Sequence, residues 1–201
     1  MGLSTGILQE SLGRISAKIE MDADELNALD AKIGDGDLGV TLTRCMRGIA
    51  EVLPGLPEDV GMAFMSCAQA VTKVSGASFA TLLATAFMSV AKATKGRTEI
   101  PWIEISALLR VAEEAMMARG KASLGEKTVI DAVNAVRSAT EGLNDPKAIL
   151  ETAIEAVNGV VERMRGLPNL AGRARIWSEK SIGLDDPGMV AFKLMIESLK
   201  E

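Results

Sequence analysis

Residues 29 to 39 read Leu-Asp-Ala-Lys-Ile-Gly-Asp-Gly-Asp-Leu-Gly and set three carboxylates, Asp30, Asp35 and Asp37, around a glycine-loosened turn. Asp35 and Asp37 can point the same way across Gly36, and Asp30 can reach back from the last turn of a preceding helix. Carboxylates that converge repel one another, and at least one proton affinity must rise unless a cation intervenes. A hard divalent cation with oxygen ligands removes that penalty, and Mg²⁺ with phosphate oxygens completing its shell is the usual form. Aspartates that cap helices and make turns account for the same residues, so the segment alone leaves both readings open. Two sharper readings fail. Gly34, Gly36 and Gly39 match the spacing of a dinucleotide-binding fingerprint, but no strand precedes them and no βαβ unit follows. An EF-hand beginning at Asp35 needs glycine where Val40 stands and glutamate where Met46 stands.

Three further loops carry polar chemistry. Lys73-Val74-Ser75-Gly76-Ala77-Ser78 lies between two helical stretches, and its small residues would let backbone N–H groups approach a phosphate at a helix N-terminus. Taken alone, tight helix packing explains it better, and the Gly-Lys-Ser/Thr of a P-loop is missing. The segment from Arg119 to Thr128 and the segments Gly172-Arg173-Ala174-Arg175 and Glu179 to Gly188 combine glycines with cations, as anion-binding loops do. Solvated turn charges explain each of these singly. Their alternation with apolar helices is what counts, because alternate loops of an up-and-down bundle emerge at the same end.

The elements that must position these loops are helical. Apolar residues recur at helical spacing along the chain: Ile7, Leu8, Leu12, Ile15 and Ile19 stripe a first helix, and Leu26, Leu29 and Ile33 continue it past Asp22. Helices follow at about residues 40–52, 59–73, 79–94, 101–119, 128–140 and 146–165, with a short one near 170–177 and a last one after Gly188. Pro101 suits an early helical position, and alternating period-two runs are missing. About eight helices joined by short loops predict an all-α fold, an antiparallel up-and-down bundle or closed barrel, in a single domain spanning residues 1–201.

Composition narrows the chemistry. The 201 residues include no histidine and no tyrosine, which excludes a His–Asp dyad, a histidine metal ligand and a phosphohistidine. Catalysis must run on carboxylates, cations, hydroxyls, backbone amides and bound ions, or borrow groups from a partner. The net charge of −5 disfavours nucleic acid. No apolar run reaches the roughly 18 residues a membrane span needs, and the N-terminus lacks the pattern of a secretory signal. Cys45 and Cys67 have no metal-ligand spacing and suit buried thiols, so a cytoplasmic protein is expected.

The four loops, in this order, resemble the L subunit family of dihydroxyacetone kinases. That family typically shows Leu-Asp-x-x-Ile-Gly-Asp-x-Asp-His-Gly, a Gly-Ala-Ser-Gly turn, an Arg-Gly-Lys-Ala…Gly-Asp-Lys-Thr segment and a Gly-Arg-Ala…Glu-Arg-Ser-x-Gly…Asp-Pro-Gly segment. The resemblance covers essentially the whole chain. It implies an eight-helix antiparallel barrel with ADP or ATP at one end, and Asp30, Asp35 and Asp37 as ligands of two Mg²⁺ ions that grip the phosphates. It sets Ala77 and Ser78 at the phosphates with Leu38 and Thr41 nearby, and Gly120, Thr128, Arg173, Asp186 and Gly188 around the nucleotide. There are departures: Leu38 stands where histidine is usual, Phe79 where glycine is usual, Glu126 for aspartate, Lys180 for arginine and Ser178 where glycine is common.

The resemblance further implies a phosphotransferase that acts on a short ketose held by a separate K-type subunit, dihydroxyacetone or a relative such as a tetrulose. ATP or a phosphocarrier protein of the phosphotransferase system would supply the phosphoryl group. The departures keep open a non-catalytic, nucleotide-sensing subunit.

Overall fold

A computed structural model describes residues 2–200. Its elements are β1 (Gly2–Ser4), α1 (Thr5–Met21), α2 (Ala23–Ile33), α3 (Leu38–Val52), α4 (Val60–Val74), α5 (Ser78–Thr94), β2 (Glu99–Pro101), α6 (Ile105–Gly120), α7 (Val129–Ala139), α8 (Pro146–Arg165) and α9 (Pro187–Glu197). Local chemistry sets the helix starts. Asp59, Asp145 and Asp186 accept the N–H groups of Met62, Ala148 and Met189 at 3.0, 2.8 and 2.9 Å. Prolines with pre-set φ occupy the first turns of α8 and α9.

Eight helices close a ring in which α1, α3, α4, α5, α6, α7, α8 and α9 each pack on the next, and α9 returns to α1. The neighbours run antiparallel, so the starts of α3, α5, α7 and α9 gather at one end, where they border a single cleft. The largest apolar cluster joins α1, α3, α4 and α5 through Ile19, Leu42, Val71 and Val90, and a second joins α7, α8 and α9 through Val136, Val157 and Met189. Each such side chain contributes about 1.5–3 kcal/mol on burial. Gly61 lets α4 approach the end of α5, since a Cβ there would lie 2.6 Å from the carbonyl oxygen of Ala91. Cys45 and Cys67 are free thiols inside the first cluster, pushed up to about 11 by burial. Among the described residues no helix is long and apolar enough to cross a membrane.

The all-α barrel matches the expectation from sequence, with local differences. The first apolar stripe is two helices, because the chain turns at Asp22, whose carboxylate pairs with Lys18 at 2.6 Å. The second of them, α2, is a ninth helix packed on α1, α3 and α9. The short helix expected near 170–177 is a pair of 3₁₀ turns at Arg173–Ile176 and Ser178–Ser181. Pro101 does not start a helix: it ends β2, which pairs antiparallel with β1 and turns Ile100 fully inward. Three-residue strands are too short to leave a period in the sequence.

Candidate functional site

The metal and nucleotide residues that the resemblance implies all line one cleft of about 750 Å³ at the end where α3, α5, α7 and α9 begin. Asp30, Asp35, Asp37, Leu38 and Thr41 come from the α2–α3 turn, and Ala77 and Ser78 from the start of α5. Gly120 and Thr128 flank the α6–α7 loop, Arg173 lies on a 3₁₀ turn, and Asp186 and Gly188 open α9.

The aspartate turn is a crowded set of hard oxygen donors. One carboxylate oxygen from each of Asp30, Asp35 and Asp37 lies within 4.8 Å of the others, with Asp30 half-buried and the other two exposed. Asp30 Oδ2 accepts the N–H groups of Gly36 at 2.9 Å and Asp37 at 3.0 Å, which folds the turn back over the end of α2. Glycine is required twice. Gly36 has φ of 77°, and a Cβ on Gly34 would lie 2.8 Å from Asp30 Cγ. The cap-and-turn reading now divides. Asp30 does brace the turn, but the carboxylate of Asp37, at the N-cap position of α3, accepts no N–H there. Asn27 Oδ1 takes the N–H of Val40 instead, at 3.2 Å. The carboxylates of Asp35 and Asp37 therefore crowd together without a capping role, and the cation paired with the cluster is Arg173, which reaches Asp35.

Across the cleft, α5 begins at Ser78 with Ala77 at its N-cap, a residue that offers no capping side chain. Ser75 Oγ accepts the Ala77 N–H at 3.2 Å and shapes the turn. Neither helix is capped by its own N-cap side chain, so α3 and α5 present first-turn N–H groups, other than the Val40 N–H taken by Asn27, and the positive end of a helix dipole to the cleft. The starts of α7 and α9 are closed differently, by the Thr128–Asp131 capping box and by Asp186. Phe79 lines the cleft beside Gly188, where an added Cβ would stand 3.3 Å from its ring. With Leu82, Ala122 and Ile130, it gives the cleft apolar surface opposite the carboxylates.

The third and fourth loops differ most from the sequence reading. Lys127 is neither a solvated turn charge nor a group facing the cleft: it is wholly buried, and its Nζ donates to the carbonyls of Leu167 at 2.7 Å and Ser181 at 3.0 Å. Burial holds its ammonium below the usual lysine range, against the pull of Asp186 and Asp185. Asn169 donates through Nδ2 to the Lys127 carbonyl and to Asp186 Oδ2, both at 2.8 Å, and through its N–H to Ser181 Oγ at 2.8 Å. Asp186 is pushed up to about 6 by burial, opposed by the Met189 N–H, Asn169 and Lys127. Sequence reasoning missed Lys127, Asn169 and Ser181 as structural partners, because the bonds among them span 12 to 54 residues and leave no local spacing.

The DAK2 domain model matches residues 32–201. Over 99% of its length the chain is 27% identical to the PEP-dependent dihydroxyacetone kinase, ADP-binding subunit DhaL, of Escherichia coli (strain K12), covering 97% of that protein. It is 32% identical to the PTS-dependent dihydroxyacetone kinase, ADP-binding subunit DhaL, of Lactococcus lactis subsp. lactis (strain IL1403), over 96% of this chain and 94% of that one. Human triokinase/FMN cyclase is 30% identical over 89% of this chain, which spans 32% of it. The crystal structure of the dihydroxyacetone kinase from C. freundii in complex with AMP-PNP and Mg²⁺ superposes with a TM-score of 0.77 at 27% identity, covering 99% of this chain and 34% of that one.

Proposed function

The chain belongs to the DAK2 domain family, and on that premise we propose that it is the nucleotide-binding subunit of a dihydroxyacetone-type kinase. It holds ADP or ATP through Mg²⁺ at Asp30, Asp35 and Asp37 and passes a phosphoryl group to a short ketose carried by a separate K-type subunit. The observation that carries this reading is the juxtaposition of three carboxylates within 4.8 Å with two helix starts whose N-cap side chains accept no N–H, in one cleft. Carboxylates alone would repel a phosphate, and helix N-termini alone would not gather aspartates. A magnesium nucleotide satisfies both.

The roles of the chain's own groups follow. Asp30, already fixed by two turn amides, is the rigid ligand, and the exposed Asp35 and Asp37 adjust to the ion or ion pair. The bound Mg²⁺ would neutralise phosphate charge and align the transferring group, which is most of what phosphoryl transfer asks of a protein. The first-turn N–H groups of Leu38 in α3 and Ser78 in α5 receive phosphate oxygens, with Thr41 and Ala77 beside them. Arg173 leaves Asp35 for the phosphates once the metal supplies the positive charge. Gly120, Thr128, Asp186 and Gly188, with the apolar wall around Phe79, enclose the nucleoside.

The chain has no histidine, so a covalent hold on a ketone through histidine has to come from the partner. Exposed Leu167, Leu170, Ile176, Trp177 and Ile182 all lie on the loop that flanks the cleft, and they support a partner surface there. The phosphoryl donor is either exchanging ATP or a phosphocarrier protein that recharges a resident ADP. Nucleotide that survives desalting on the purified chain marks the second mode.

The test is calorimetric titration of the chain with ADP and ATP, with Mg²⁺ and with chelator, followed by a ketose kinase assay with and without a K-type subunit. Binding that needs Mg²⁺, and turnover that needs both chains, are the expected results. Equal binding under chelation would overturn the metal assignment, and normal turnover by this chain alone would overturn the divided site. Mg²⁺-dependent binding without turnover beside a cognate subunit would favour a nucleotide-sensing role.

A further inference from the structure

Lys127 sits in a position that a turn alone does not need. Its side chain has no solvent exposure, and its Nζ meets the carbonyls of Leu167 and Ser181 at 2.7 and 3.0 Å, with that of Arg165 at 3.5 Å. An ammonium has three donors, and here the acceptors around it are main-chain oxygens 38 to 54 residues away. Burying such a charge is costly unless its hydrogen bonds are made. The backbone at Lys127 is also left-handed, with φ of 60°, a region few residues with a Cβ adopt. A strained backbone and a buried cation at one residue mark a position held by its surroundings.

The acceptors belong to the two ends of a single loop. Residues 165–170 lie on one side and 181–186 on the other, and other bonds join the same two ends. The Gly183 N–H meets the Arg165 carbonyl at 2.8 Å, the Asn169 N–H meets Ser181 Oγ at 2.8 Å, and the Arg165 guanidinium holds Asp185 at 2.7 and 3.0 Å. Between these ends, residues 171–176 border the cleft, and Arg173 reaches Asp35. The residue after Lys127 is Thr128, which starts α7 at the same cleft. One ammonium therefore ties the base of the loop to the start of a cleft helix.

We propose that Lys127 is a positioning residue: its buried ammonium closes the base of the 165–186 loop and so holds Arg173 and Asp186 where the cleft needs them to bind a nucleoside diphosphate. The proposal rests on the nucleotide reading of the cleft. Lysine suits this work because glutamine brings two donors and an acceptor, and methionine brings no donor, to a point where carbonyls converge. Lys127 does not itself line the cleft, so it acts through the loop.

Reciprocity supplies the test. If a closed loop favours the nucleotide, the nucleotide must favour the closed loop by the same factor. In the intact wild-type chain, amine acetylation followed by peptide mass mapping should modify exposed Lys121 and Lys180 fast and Lys127 slowly, with saturating MgADP slowing Lys127 further, by about tenfold. In Lys127→Met, amide exchange over residues 167–182 should rise about tenfold or more while α4 and α5 keep wild-type protection, and MgADP affinity should fall by about the same factor. Faster loop exchange with unchanged MgADP affinity would overturn the positioning role and leave Lys127 a packing element. Labelling of Lys127 at the rate of Lys121, or labelling insensitive to MgADP, would overturn it in the wild type, so the outcome stands even if Lys127→Met does not fold. A wild type that binds no MgADP would remove the nucleotide reading itself, and labelling and exchange without nucleotide would still decide whether the ammonium closes the loop.

Discussion

At residues 30–37 three carboxylates crowd within 4.8 Å at the protein surface with one cation beside them, whereas at residues 165–186 a single ammonium is buried among carbonyls that all turn toward it. Both regions border the same cleft. The first has more charge than its partners neutralise, and exposure makes that affordable, because water screens Asp35 and Asp37. The second has no water to screen anything, so Lys127, Asn169 and Ser181 must each find protein partners. An exposed, under-compensated cluster is suited to receive an ion. A buried and compensated network is suited to hold shape. The cleft combines a region that changes its charge partners on binding with a region that does not.

Asp35→Asn should have the largest effect of any single change in the aspartate turn. If the turn exists to hold a cation, removing one ligand should lower Mg²⁺-dependent ADP affinity by about 100-fold, at the upper end of what even outer-shell changes do to metal sites. The fold should not suffer, because Asp35 is exposed and its loss relieves like-charge repulsion. Calorimetry and a thermal melt on one sample separate the two effects, and a large drop in melting temperature with unchanged affinity would make the turn structural. Gly34→Ala should act next most strongly. An added Cβ there would press on Asp30 Cγ at 2.8 Å and on the Asp30 carbonyl oxygen at 2.9 Å, so the carboxylate must move. About a tenfold loss of Mg²⁺-dependent affinity is expected by the same route. No loss would mean that the position of Asp30 does not matter to binding.

The two regions also differ in how far they can be read from sequence. The aspartate turn is local: Asp30, Asp35 and Asp37 fall within eight residues, and glycine marks each place where the backbone must approach or turn. Helix periodicity is local too, so the antiparallel all-α barrel was legible from apolar spacing and loop length. Local rules failed where geometry depends on distant chain. Asp22 interrupts an apolar stripe that continues on both sides, and α2 packs as a separate helix on α3 and α9. The pairing of β1 with β2 joins residues nearly a hundred positions apart through three-residue strands. Lys127 looked like any other loop cation, since nothing near it in sequence reports that the carbonyls of residues 167 and 181 meet there. The helix at 170–177 was overestimated because Leu170, Ala171 and Ala174 carry helical spacing, while Gly172, with φ of 64°, and the hold of both loop ends on Lys127 favour tight turns.

A pH series probes the buried side. Asp186 is pushed up to about 6 by burial, above the roughly 3.9 of an unfolded aspartate. A carboxyl with a raised folded value favours the fold when protonated: its contribution is full below the unfolded value and is lost as pH rises through about 6. Other carboxylates tilt the other way, since Asp59 and Glu104 are held low by the Met62 N–H and by Arg97. The informative quantity is therefore the stability difference between wild type and Asp186→Asn in urea melts from pH 4 to 7. Asparagine keeps the cap on Met189, and Asn169 can turn its Oδ1, which has no partner among the described residues, toward the new amide. Relative to the variant, the wild type should lose stability steadily as pH rises across this window. A difference that stays flat would mean Asp186 remains ionised throughout, with Lys127 and Asn169 compensating its charge in full.

The smallest effect, and the one that joins the two regions, concerns Arg173. Its guanidinium is carried on the loop that Lys127 closes and pairs with Asp35 in the turn, with both side chains about half exposed. An exposed ion pair adds little to stability, so Arg173→Ala should leave the thermal midpoint of the nucleotide-free chain within error. Its electrostatic effect is more telling. Arg173 competes with a divalent ion for Asp35, and removing it takes a positive charge from the place where the ion must sit. Without nucleotide, Mn²⁺ measured by electron paramagnetic resonance should bind Arg173→Ala about two- to threefold tighter than wild type, the size expected for one screened surface charge. Weaker Mn²⁺ binding would mean that the arginine organises the turn. The division between an adaptable carboxylate cluster and a preorganised loop would then be wrong at the one contact where they meet.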